Sequence, residues 1–509
     1  MHPGTFAKTN PSHAAIVTDE GRRVTYGDLD ARANQVSRYL ESLGIGYGDR
    51  VAILLPNGVE FLEAAWGAHR LGCYYATLNH HLLVPEISYI LADCAATVLF
   101  TSLQLGDPAR FFKDAPALKT VIVVGGDAPG CIPYSVIEHF SGAPLEENLD
   151  GGVMLYSSGT TGRPKGIVIP RPRVEISPPF PLRSMFERLS MDENSVYMTP
   201  APLYHAAPSA WSMSTHRVGA TLVLMTQFDA TRALQLIAGC RVTHAQFVPT
   251  MFTRMLQLPE AVRSSFNLGS LRAVIHSAAP CPASVKRAMI EWWGPIIWEF
   301  YGASEGHGAT MLNSEEWMSH PGSVGKPIFG EPHIVAEDGT EAPPNVIGDI
   351  YFRGGLPFKY HGDVDKTREA YNERGWARVG DRGYLDKDGF LYLADRSNDM
   401  IISGGVNIYP RDAEDALALH PLVSDVAVIG VPNAEFGEEV KALIVLNDPQ
   451  TANPVTAQLL IAHCREQIAH FKCPRSIDFV AEVPRGPNGK LYRRRAREAY
   501  WRNSDSELA

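Results

Sequence analysis

This sequence of 509 residues lacks the basic excess that marks a nucleic-acid-binding protein. Its 46 Lys and Arg stand against 56 Asp and Glu, which gives a formal net charge of −10. Because nucleic-acid binding needs Lys and Arg clustered against phosphates, we predict no nucleic-acid partner. The one basic run, Arg493 to Arg497, is short, and we interpret it as a solvated helix start.

Cysteine is also scarce. The seven cysteines are Cys73, Cys94, Cys131, Cys240, Cys281, Cys464 and Cys473. None forms a C-x-x-C pair, so the sequence predicts neither a zinc site nor a disulfide framework. Scattered cysteines in apolar settings suit a reducing compartment.

Long hydrophobic runs are missing too. No stretch approaches the ~20 apolar residues that a membrane-spanning helix needs. The N-terminal segment Met1–Asn10 has no apolar core of signal-peptide length. We therefore expect a cytoplasmic protein with no transmembrane segment. The chain is longer than the ~100–200 residues of one domain, so we expect at least two domains.

Short apolar runs between helical patterns indicate the fold of the first half. The runs Val51–Leu55, Thr97–Thr101 and Thr120–Val124 are typical of buried strands in a largely parallel α/β sheet. A helix precedes them, and Thr25 and Asp28 are spaced to cap its first turn.

The pattern changes towards the C-terminus. Gly348–Arg353 and Gly389–Ala394 read as strands joined by Gly- and Asp-rich turns, which predicts a β-rich subdomain. Pro410 then opens a predicted helix of a smaller α/β unit. The fold class is therefore α/β: a large N-terminal domain of α/β subdomains plus the β-rich subdomain (1–395), and a small C-terminal α/β domain (396–509).

The strongest local signal is the string Tyr156–Gly166, which follows a predicted strand. Its small residues let the backbone approach a ligand closely, and its amides and hydroxyls can surround phosphate oxygens. It is not a Walker A loop, and a flexible surface loop is the alternative interpretation. The residues expected to bind the nucleotide phosphates are Ser157, Ser158, Gly159, Thr160, Thr161 and Lys165.

This string resembles the phosphate loop of the adenylate-forming superfamily, which includes acyl-CoA synthetases, adenylation domains of peptide synthetases and luciferases. The resemblance covers nearly the whole chain, and the first hundred residues resemble the acyl-CoA synthetase branch. It implies that a carboxylic acid and ATP, with Mg²⁺, give an acyl-adenylate, and that the acyl group then passes to coenzyme A. It also implies that the C-terminal domain is mobile.

The segment Glu299–Glu305 resembles the family's YGxTE motif, with Ser304 in place of Thr. The resemblance implies that Tyr301 stacks on adenine, that Ser304 contacts the α-phosphate and that Glu305 holds Mg²⁺. A carboxylate is the hard oxygen ligand that Mg²⁺ prefers. Taken alone, the segment would be interpreted as a turn with a surface Glu.

Two further segments resemble nucleotide-binding motifs. Ser277–Pro280 resembles the small-residue wall of the adenine pocket, and Val379–Asp381 resembles the TGD motif, whose Asp binds the ribose hydroxyls. The resemblance adds Ala278, Ala279, Pro280, Gly302, Asp381 and Arg396 to the expected nucleotide-binding residues.

The C-terminal string that begins at Pro484 resembles the PxxxxGK motif, which makes Lys490 the expected catalytic lysine. In the family the C-terminal domain rotates after adenylation, so that a Gly-rich loop replaces this lysine. Here that loop carries Gly404 and Gly405, and the hinge position is Asn398, where the family usually has Asp or Lys.

The segment Pro202–Ala207 resembles the border of the acyl site, with His205 expected near the substrate carboxylate and counted among the catalytic residues. No Asp stands where an amino acid's amine would be paired, which favours a hydrophobic acid. The opening His2–Thr5 and the string His276–Pro280 resemble the branch that takes fatty, bile-acid-like, steroid or terpenoid acids. The expected pocket residues are His205, Ala206, Trp211, Val248, Gly302 and Gly306.

One departure from the family lies just after the phosphate loop, where Ile169–Val174 replaces the usual Thr-His pair. Three alternatives stay open: an adenylate-only ligase that needs a separate partner enzyme or carrier protein, which Asn398 motivates; a luciferase-type oxygenase; and a non-catalytic sensor, which would be expected to lack Lys490 or Glu305. The expected partners are a small-molecule carboxylic acid and coenzyme A, with the protein a monomer or a homodimer.

Overall fold

The computed structural model describes residues 1–113, 115–157, 164–176, 180, 182–279, 281–394, 401–403, 406–408, 410–418, 420–433, 436–468, 470–486, 489 and 491–501. Several predicted site residues lie outside these ranges: Ser158, Gly159, Thr160, Thr161, Pro280, Arg396, Asn398, Gly404, Gly405 and Lys490.

The helices alternate with strands through most of the chain. They are α1 (Pro3–Thr9), α2 (Tyr26–Ser42), α3 (Val59–Arg70), α4 (Val84–Cys94), α5 (Arg183–Arg188), α6 (Ala206–Val218), α7 (Ala230–Gly239), α8 (Pro249–Leu256), α9 (Glu260–Arg263), α10 (Ala283–Trp293), α11 (Ser314–Ser319), α12 (Val364–Glu369), α13 (Pro410–Ala418), α14 (Pro454–Gln467) and α15 (Arg493–Trp501). The predicted cap of α2 is confirmed, since Thr25 and Asp28 form a reciprocal capping box.

The strands are β1 (Ala14–Thr18), β2 (Arg23–Thr25), β3 (Arg50–Ile53), β4 (Tyr74–Thr77), β5 (Val98–Ser102), β6 (Thr120–Val124), β7 (Ile132–Pro133), β8 (Gly152–Ser157), β9 (Lys165–Val168), β10 (Val196–Thr199), β11 (Thr221–Leu224), β12 (His244–Phe247), β13 (Ala273–His276), β14 (Ile297–Gly302), β15 (Ala309–Leu312), β16 (Ser323–Phe329), β17 (Glu331–Val335), β18 (Gly348–Arg353), β19 (Lys359–Tyr360), β20 (Ala377–Leu385), β21 (Leu391–Ala394), β22 (Ile401–Ser403), β23 (Val406–Ile408), β24 (Val423–Asn433), β25 (Gly437–Leu446) and β26 (Ser476–Phe479). The three apolar runs of the first half are confirmed as β3, β5 and β6.

Two large sheets build the N-terminal part. One has 13 strands and the other has eight, in the order β19-β9-β8-β4-β3-β5-β6-β7. The strands β3 to β8 of the eight-stranded sheet pair in parallel, and so do β1 and β10 to β14 of the larger sheet. Buried on both faces, these strands read as continuous apolar runs, as the sequence predicted.

The predicted β-rich subdomain does not form a separate sheet. Its strands β16 to β18, β20 and β21 extend the 13-stranded sheet in antiparallel fashion through β15. It does have a small core of its own, which includes Val324, Ile350 and Leu391. The sequence predicts these strands but not that they join the large sheet at β15, because strand pairing depends on residues far apart in the chain.

The C-terminal α/β unit is a five-stranded sheet, β23-β22-β25-β24 with β26 on β25, covered by α13, α14 and α15. The basic run at the start of α15 is not simply solvated, which corrects the sequence interpretation. Arg493 is 9% exposed and pairs with Glu414 at 2.6 Å, and Arg497 pairs with Glu438 at 2.7 Å. Arg493 thus joins α15 to α13, and Arg497 joins it to β25.

The sequence predicts neither a disulfide framework nor a membrane-spanning helix, and the described part of the chain bears on both. All seven cysteines are free, and five of them are buried. No helix among the described residues is both long enough and apolar enough to cross a membrane.

Candidate active site

The site lies where parallel strands end. In the 13-stranded sheet, β10, β12, β13 and β14 run in parallel and present their carboxyl ends at one edge, where ligands of open α/β sheets bind. The segments that follow are those singled out in the sequence: Pro202–His205, Val248, Ser277–Ala279 and Gly302–Glu305. They border a single cleft of about 2440 Å³.

The phosphate-loop strand β8 reaches this cleft from the other sheet. The side chain of Ser157 is not described, and 158–163 lie outside the described residues. On the return strand β9, the Nζ of Lys165 is 3.1 Å from Oδ2 of Asp363. The predicted phosphate-binding cation therefore has a carboxylate partner at the cleft border.

The predicted adenine and ribose residues meet. The Tyr301 hydroxyl donates a hydrogen bond of 2.7 Å to Oδ2 of Asp381, which lies on β20. Asp381 is buried, whereas Ser304 is exposed. The order of these residues in the sequence predicted the set, but not this contact between strands of one sheet.

Glu305, the predicted metal ligand, has one oxygen engaged. Its Oε1 accepts a hydrogen bond of 3.0 Å from the Tyr360 hydroxyl. Among the described residues no partner is recorded for Oε2, and Glu305 lines the cleft. A carboxylate held by one oxygen and open at the other fits a hard divalent cation such as Mg²⁺.

The adenine-pocket segment is held in an uncommon backbone conformation. Ala278 has φ +74°, in the left-handed region that non-Gly residues rarely adopt. Ala279 follows it along the cleft wall. Such conformations cluster at ligand sites, where the surrounding structure maintains them.

A buried ion pair lies behind this segment. The Nζ of Lys286, on α10, is 2.6 Å from Oε2 of Glu299, and Lys286 is fully buried. Burial lowers the pKa of neighbouring His276 to about 3, so that imidazole is neutral. Burial alone would raise the pKa of Glu299, but the charge of Lys286 holds it below its usual value.

His205 occupies the N-cap of α6, next to the cleft. Its ring contacts that of Tyr204, with centroids 4.5 Å apart. The first turn of a helix carries a partial positive charge from its free N–H groups. The position therefore suits a carboxylate.

The remaining predicted acyl residues border the same cleft in different ways. Trp211 is only 1% exposed and packs against Phe186 and Phe300, at 5.1 and 5.9 Å between centroids, so it forms a rigid wall. Ala206 and Val248 border the cleft at the starts of α6 and α8. Gly302 ends β14, and Gly306 lies on the turn after this strand with φ +69°.

The C-terminal unit reaches this cleft. Gly489, which precedes Lys490, is buried, and a Cβ added to it would come within 2.7 Å of the Thr250 hydroxyl on α8. Burial raises the pKa of Tyr204, and Tyr492 lies close enough to raise it further. The residues on both sides of Lys490 thus contact the site, although Lys490 itself lies outside the described residues.

Several residues at the cleft were missed in the sequence. Tyr360 and Asp363 come from the segment around β19, which pairs with β9 of the phosphate-loop hairpin. Arg171 and Arg217 line the far end of the cleft. The only sequence signal for any of them was the departure at Ile169–Val174, which contains Arg171.

The cleft brings together the segments expected to bind a nucleotide and those expected to bind an acyl group, an arrangement that fits a nucleotide-dependent, acid-activating enzyme. Two family models match: the AMP-binding enzyme model over residues 5–359, and the model of its C-terminal domain over 412–490. The chain belongs to the AMP-binding enzyme family, in its acyl-CoA synthetase branch, and is an acid–thiol ligase.

Curated relatives align along almost the whole chain. It is similar to a long-chain-fatty-acid–CoA ligase, FadD13, of Mycobacterium tuberculosis, with 32% identity covering 94% of this chain and 93% of the relative. It is also similar to a fatty acid–[acyl-carrier-protein] ligase, ScoC, of Streptomyces coeruleorubidus, with 28% identity covering 98% and 95%.

Among solved structures, the chain resembles the anthranilate CoA ligase AuaEII in complex with anthranoyl-AMP. The TM-score is 0.83 and the identity is 27%, covering 98% of this chain and 97% of that one. The N-terminal domain and the small C-terminal domain expected from the sequence are confirmed as the architecture of this family.

Proposed function

We propose that this protein activates a hydrophobic carboxylic acid with MgATP as an acyl-adenylate and then transfers the acyl group to coenzyme A, with AMP and pyrophosphate as the other products. The observation that carries the proposal is the meeting of four elements at one cleft: the phosphate-loop hairpin, the Tyr301–Glu305 turn, Asp381 and Gly489. A metabolite-binding protein without catalysis would not require the C-terminal unit to contact this cleft.

In the first half-reaction, an oxygen of the substrate carboxylate bonds to the α-phosphorus of ATP, and the bond from that phosphorus to pyrophosphate breaks. Negative charge gathers between two anions, so a cation placed there stabilises the transition state. We assign this role to Lys490, because its neighbour Gly489 packs on Thr250. His205, at the N-terminus of α6, is assigned to the substrate carboxylate.

The nucleotide is assigned to the other end of the cleft. We propose that Tyr301 stacks on adenine beside Ala278 and Ala279, that Asp381 accepts hydrogen bonds from the ribose, and that Ser304 contacts the α-phosphate. Glu305 would hold Mg²⁺, which when bound neutralises charge on the phosphates and the leaving pyrophosphate. The Tyr360 hydroxyl keeps that carboxylate oriented.

In the second half-reaction, the sulfur of coenzyme A bonds to the carbonyl carbon of the adenylate, the thiol loses its proton, and the bond to AMP breaks. We propose that the domain boundary falls after residue 395. The C-terminal domain, 396–509, would then turn about Asn398 and exchange Lys490 for the Gly404–Gly405 loop. No covalent enzyme intermediate is needed.

The acid itself is proposed to be fatty, aromatic, steroid or terpenoid. The acyl side of the cleft is bordered by Ala206, Ala207, Ala210 and the buried Trp211, which leave an apolar passage. The name of the FadD13 relative, a long-chain fatty acid ligase, and the anthranoyl-AMP ligand of the solved structure support a hydrophobic acid of this range.

A second candidate is an adenylate-only ligase whose acyl group is taken by a carrier protein. Two observations favour it: the hinge carries Asn398, without the charge that the family resemblance leads us to expect, and one relative is named as an acyl-carrier-protein ligase. A cytoplasmic location and a homodimer stay predictions.

The test is mass spectrometry of reactions with MgATP, coenzyme A and a panel of fatty, aromatic, steroid and terpenoid acids. An acyl-CoA product is expected. Acyl-AMP without acyl-CoA would favour the adenylate-only candidate. If none of the acids on the panel supports the release of pyrophosphate, the proposed acid class is wrong.

A further inference from the structure

The length of the acyl end of the cleft can be estimated from two elements that run along it, helix α6 and strand β8. The residues of α6 that border the cleft run from Ala206 to Arg217, and among them Ala207, Ala210, Ser214 and Arg217 follow the spacing of one helix face. Ten residues at ~1.5 Å each place Arg217 about 15 Å from Ala207. Strand β8 spans a similar distance, about 17 Å, between Gly152 and Ser157 at the phosphate loop.

A polar cluster lies at the far end of this passage. The Nη2 of Arg217 is 2.7 Å from Oδ1 of Asp150 and 2.9 Å from Nε2 of His69. The Nη1 of Arg171 is 3.7 Å from the other oxygen, Oδ2, of Asp150. Both arginines and His69 line the cleft. An otherwise apolar passage therefore ends in charged groups.

The charges of this cluster do not balance. Burial lowers the pKa of His69 to about 4, so its imidazole is neutral near pH 7. Burial alone would raise the pKa of Asp150, but its contacts with His69, 3.0 Å away, and with Arg217 hold it below its usual range. Two guanidinium groups thus share one carboxylate. Arg217 is largely buried and Arg171 is partly exposed, so a bound anion would neutralise the excess positive charge of the cluster.

The guanidinium groups also retain free donors. Among the described residues, the hydrogen bonds of Arg217 engage Nη2 alone. No hydrogen bond from the guanidinium of Arg171 is recorded there, and its buried Nε has no partner. By contrast, Arg70 on α3 pairs with both Asp30 and Asn34 and does not line the cleft. Arg70 thus has both terminal nitrogens engaged, although its buried Nε also lacks a partner, whereas neither terminal nitrogen of Arg171 donates a hydrogen bond among the described residues.

We infer that Arg171 and Arg217 bind a second carboxylate of the substrate, at the end opposite to the one that is adenylated. The substrate class is therefore an acid with an apolar body about 15 Å long and a carboxylate at each end. Arginine presents a planar fork of N–H donors that matches a carboxylate. This inference rests on the proposed acyl-activating function and specifies its acid.

The experiment compares medium- and long-chain alkanoates with α,ω-dicarboxylates of the same carbon number. Their affinities for the full chain are measured by titration calorimetry. For at least one length, the dicarboxylate is expected to bind ten-fold or more tightly than the alkanoate. A hydrogen bond to a charged group contributes ~1.5–3 kcal/mol, or about 10- to 100-fold in affinity. Arg171→Gln should abolish this preference, and Arg171→Lys should keep part of it.

Arg173→Gln is the matched control. Arg173 lies two residues away, is 60% exposed, pairs with Glu147 and does not line the cleft, so its loss should leave the preference unchanged. Equal affinities in the unmodified protein at every length, failure of both series to bind, or a preference that survives Arg171→Gln would each overturn the inference. Pyrophosphate release measured beside the titration tests the proposed function separately, because an enzyme that prefers alkanoates would still release it.

Discussion

The two ends of the cleft are built differently. At the nucleotide end, the polar side chains are already paired: Tyr301 with Asp381, Tyr360 with Glu305, and Lys165 with Asp363. At the acyl end, two arginines share the single carboxylate of Asp150. The first arrangement holds side chains in position before a ligand arrives, whereas the second leaves charge for the ligand to neutralise.

The difference follows from what each end has to do. Positioning groups for a reaction requires side chains fixed by their neighbours. Choosing among acids requires donors that remain unsatisfied unless the right group enters, since buried unpaired donors penalise the wrong ligand. The nucleotide end therefore carries the motifs that resemble those of the family, whereas Arg171 and Arg217 at the acyl end belong to none of these motifs.

The largest expected effect comes from the ion pair behind the nucleotide end. Lys286→Met leaves the carboxylate of Glu299 buried without its cation, which should lower the free energy of unfolding by about 3–5 kcal/mol. Urea denaturation measures the loss. Lys326→Met is the control, because Lys326 also lies over an aromatic ring, at 4.5 Å from the centroid of Phe390.

The dependence of this loss on pH identifies its cause. Without Lys286, burial would raise the folded-state pKa of Glu299 above its unfolded value. A carboxyl with a raised pKa destabilises the fold in full above its folded-state pKa, and the destabilisation is lost as the pH falls towards its unfolded-state pKa. The deficit of Lys286→Met should therefore shrink as the pH falls. A deficit independent of pH would instead indicate lost packing against Trp317.

The next largest effect is expected at Lys490 of the C-terminal unit. Lys490→Ala should slow adenylation by about 10²–10³-fold, because it removes a cation from the transition state. Thioester formation from supplied acyl-AMP should remain largely intact. Pyrophosphate release and acyl-CoA formation are measured separately, with the exposed Lys387→Ala as control. If the Lys490→Ala variant adenylates at the normal rate, Lys490 does not have the role assigned to it.

Much of the nucleotide end could be predicted from the sequence, because its residues lie in short contiguous strings such as Glu299–Glu305. The charged cluster at the acyl end could not be predicted, since Asp150, Arg171 and Arg217 come from three separate segments. Their proximity depends on how the two sheets pack, which no local pattern reports. The same reason explains why the sequence predicted the β-rich strands but not that they extend the large sheet.

A smaller effect is expected at the ribose position. Asp381→Asn removes a charged acceptor, and a hydrogen bond to a charged group contributes ~1.5–3 kcal/mol, so the KM for ATP should rise about 10- to 100-fold. The KM for the acid should change little, which distinguishes the two ends of the cleft. Asp388→Asn, at an exposed turn, is the control. Equal changes in both KM values would indicate a general structural defect.

The smallest effect is expected at the hydrogen bond between Tyr360 and Glu305. Tyr360→Phe removes one hydroxyl, and with it the hydrogen bond that fixes Oε1 of Glu305. Groups that orient a metal ligand typically contribute ~10–100-fold in metal affinity, and we expect the low end here, about tenfold more Mg²⁺ for half-maximal adenylation. Tyr392→Phe, whose ring stacks on Tyr384 at 4.7 Å, should not change this requirement. If Tyr360→Phe instead lowers the Mg²⁺ requirement, the hydroxyl competes with the metal, and the pairs at the nucleotide end are contacts that the ligands must break rather than a framework that positions them.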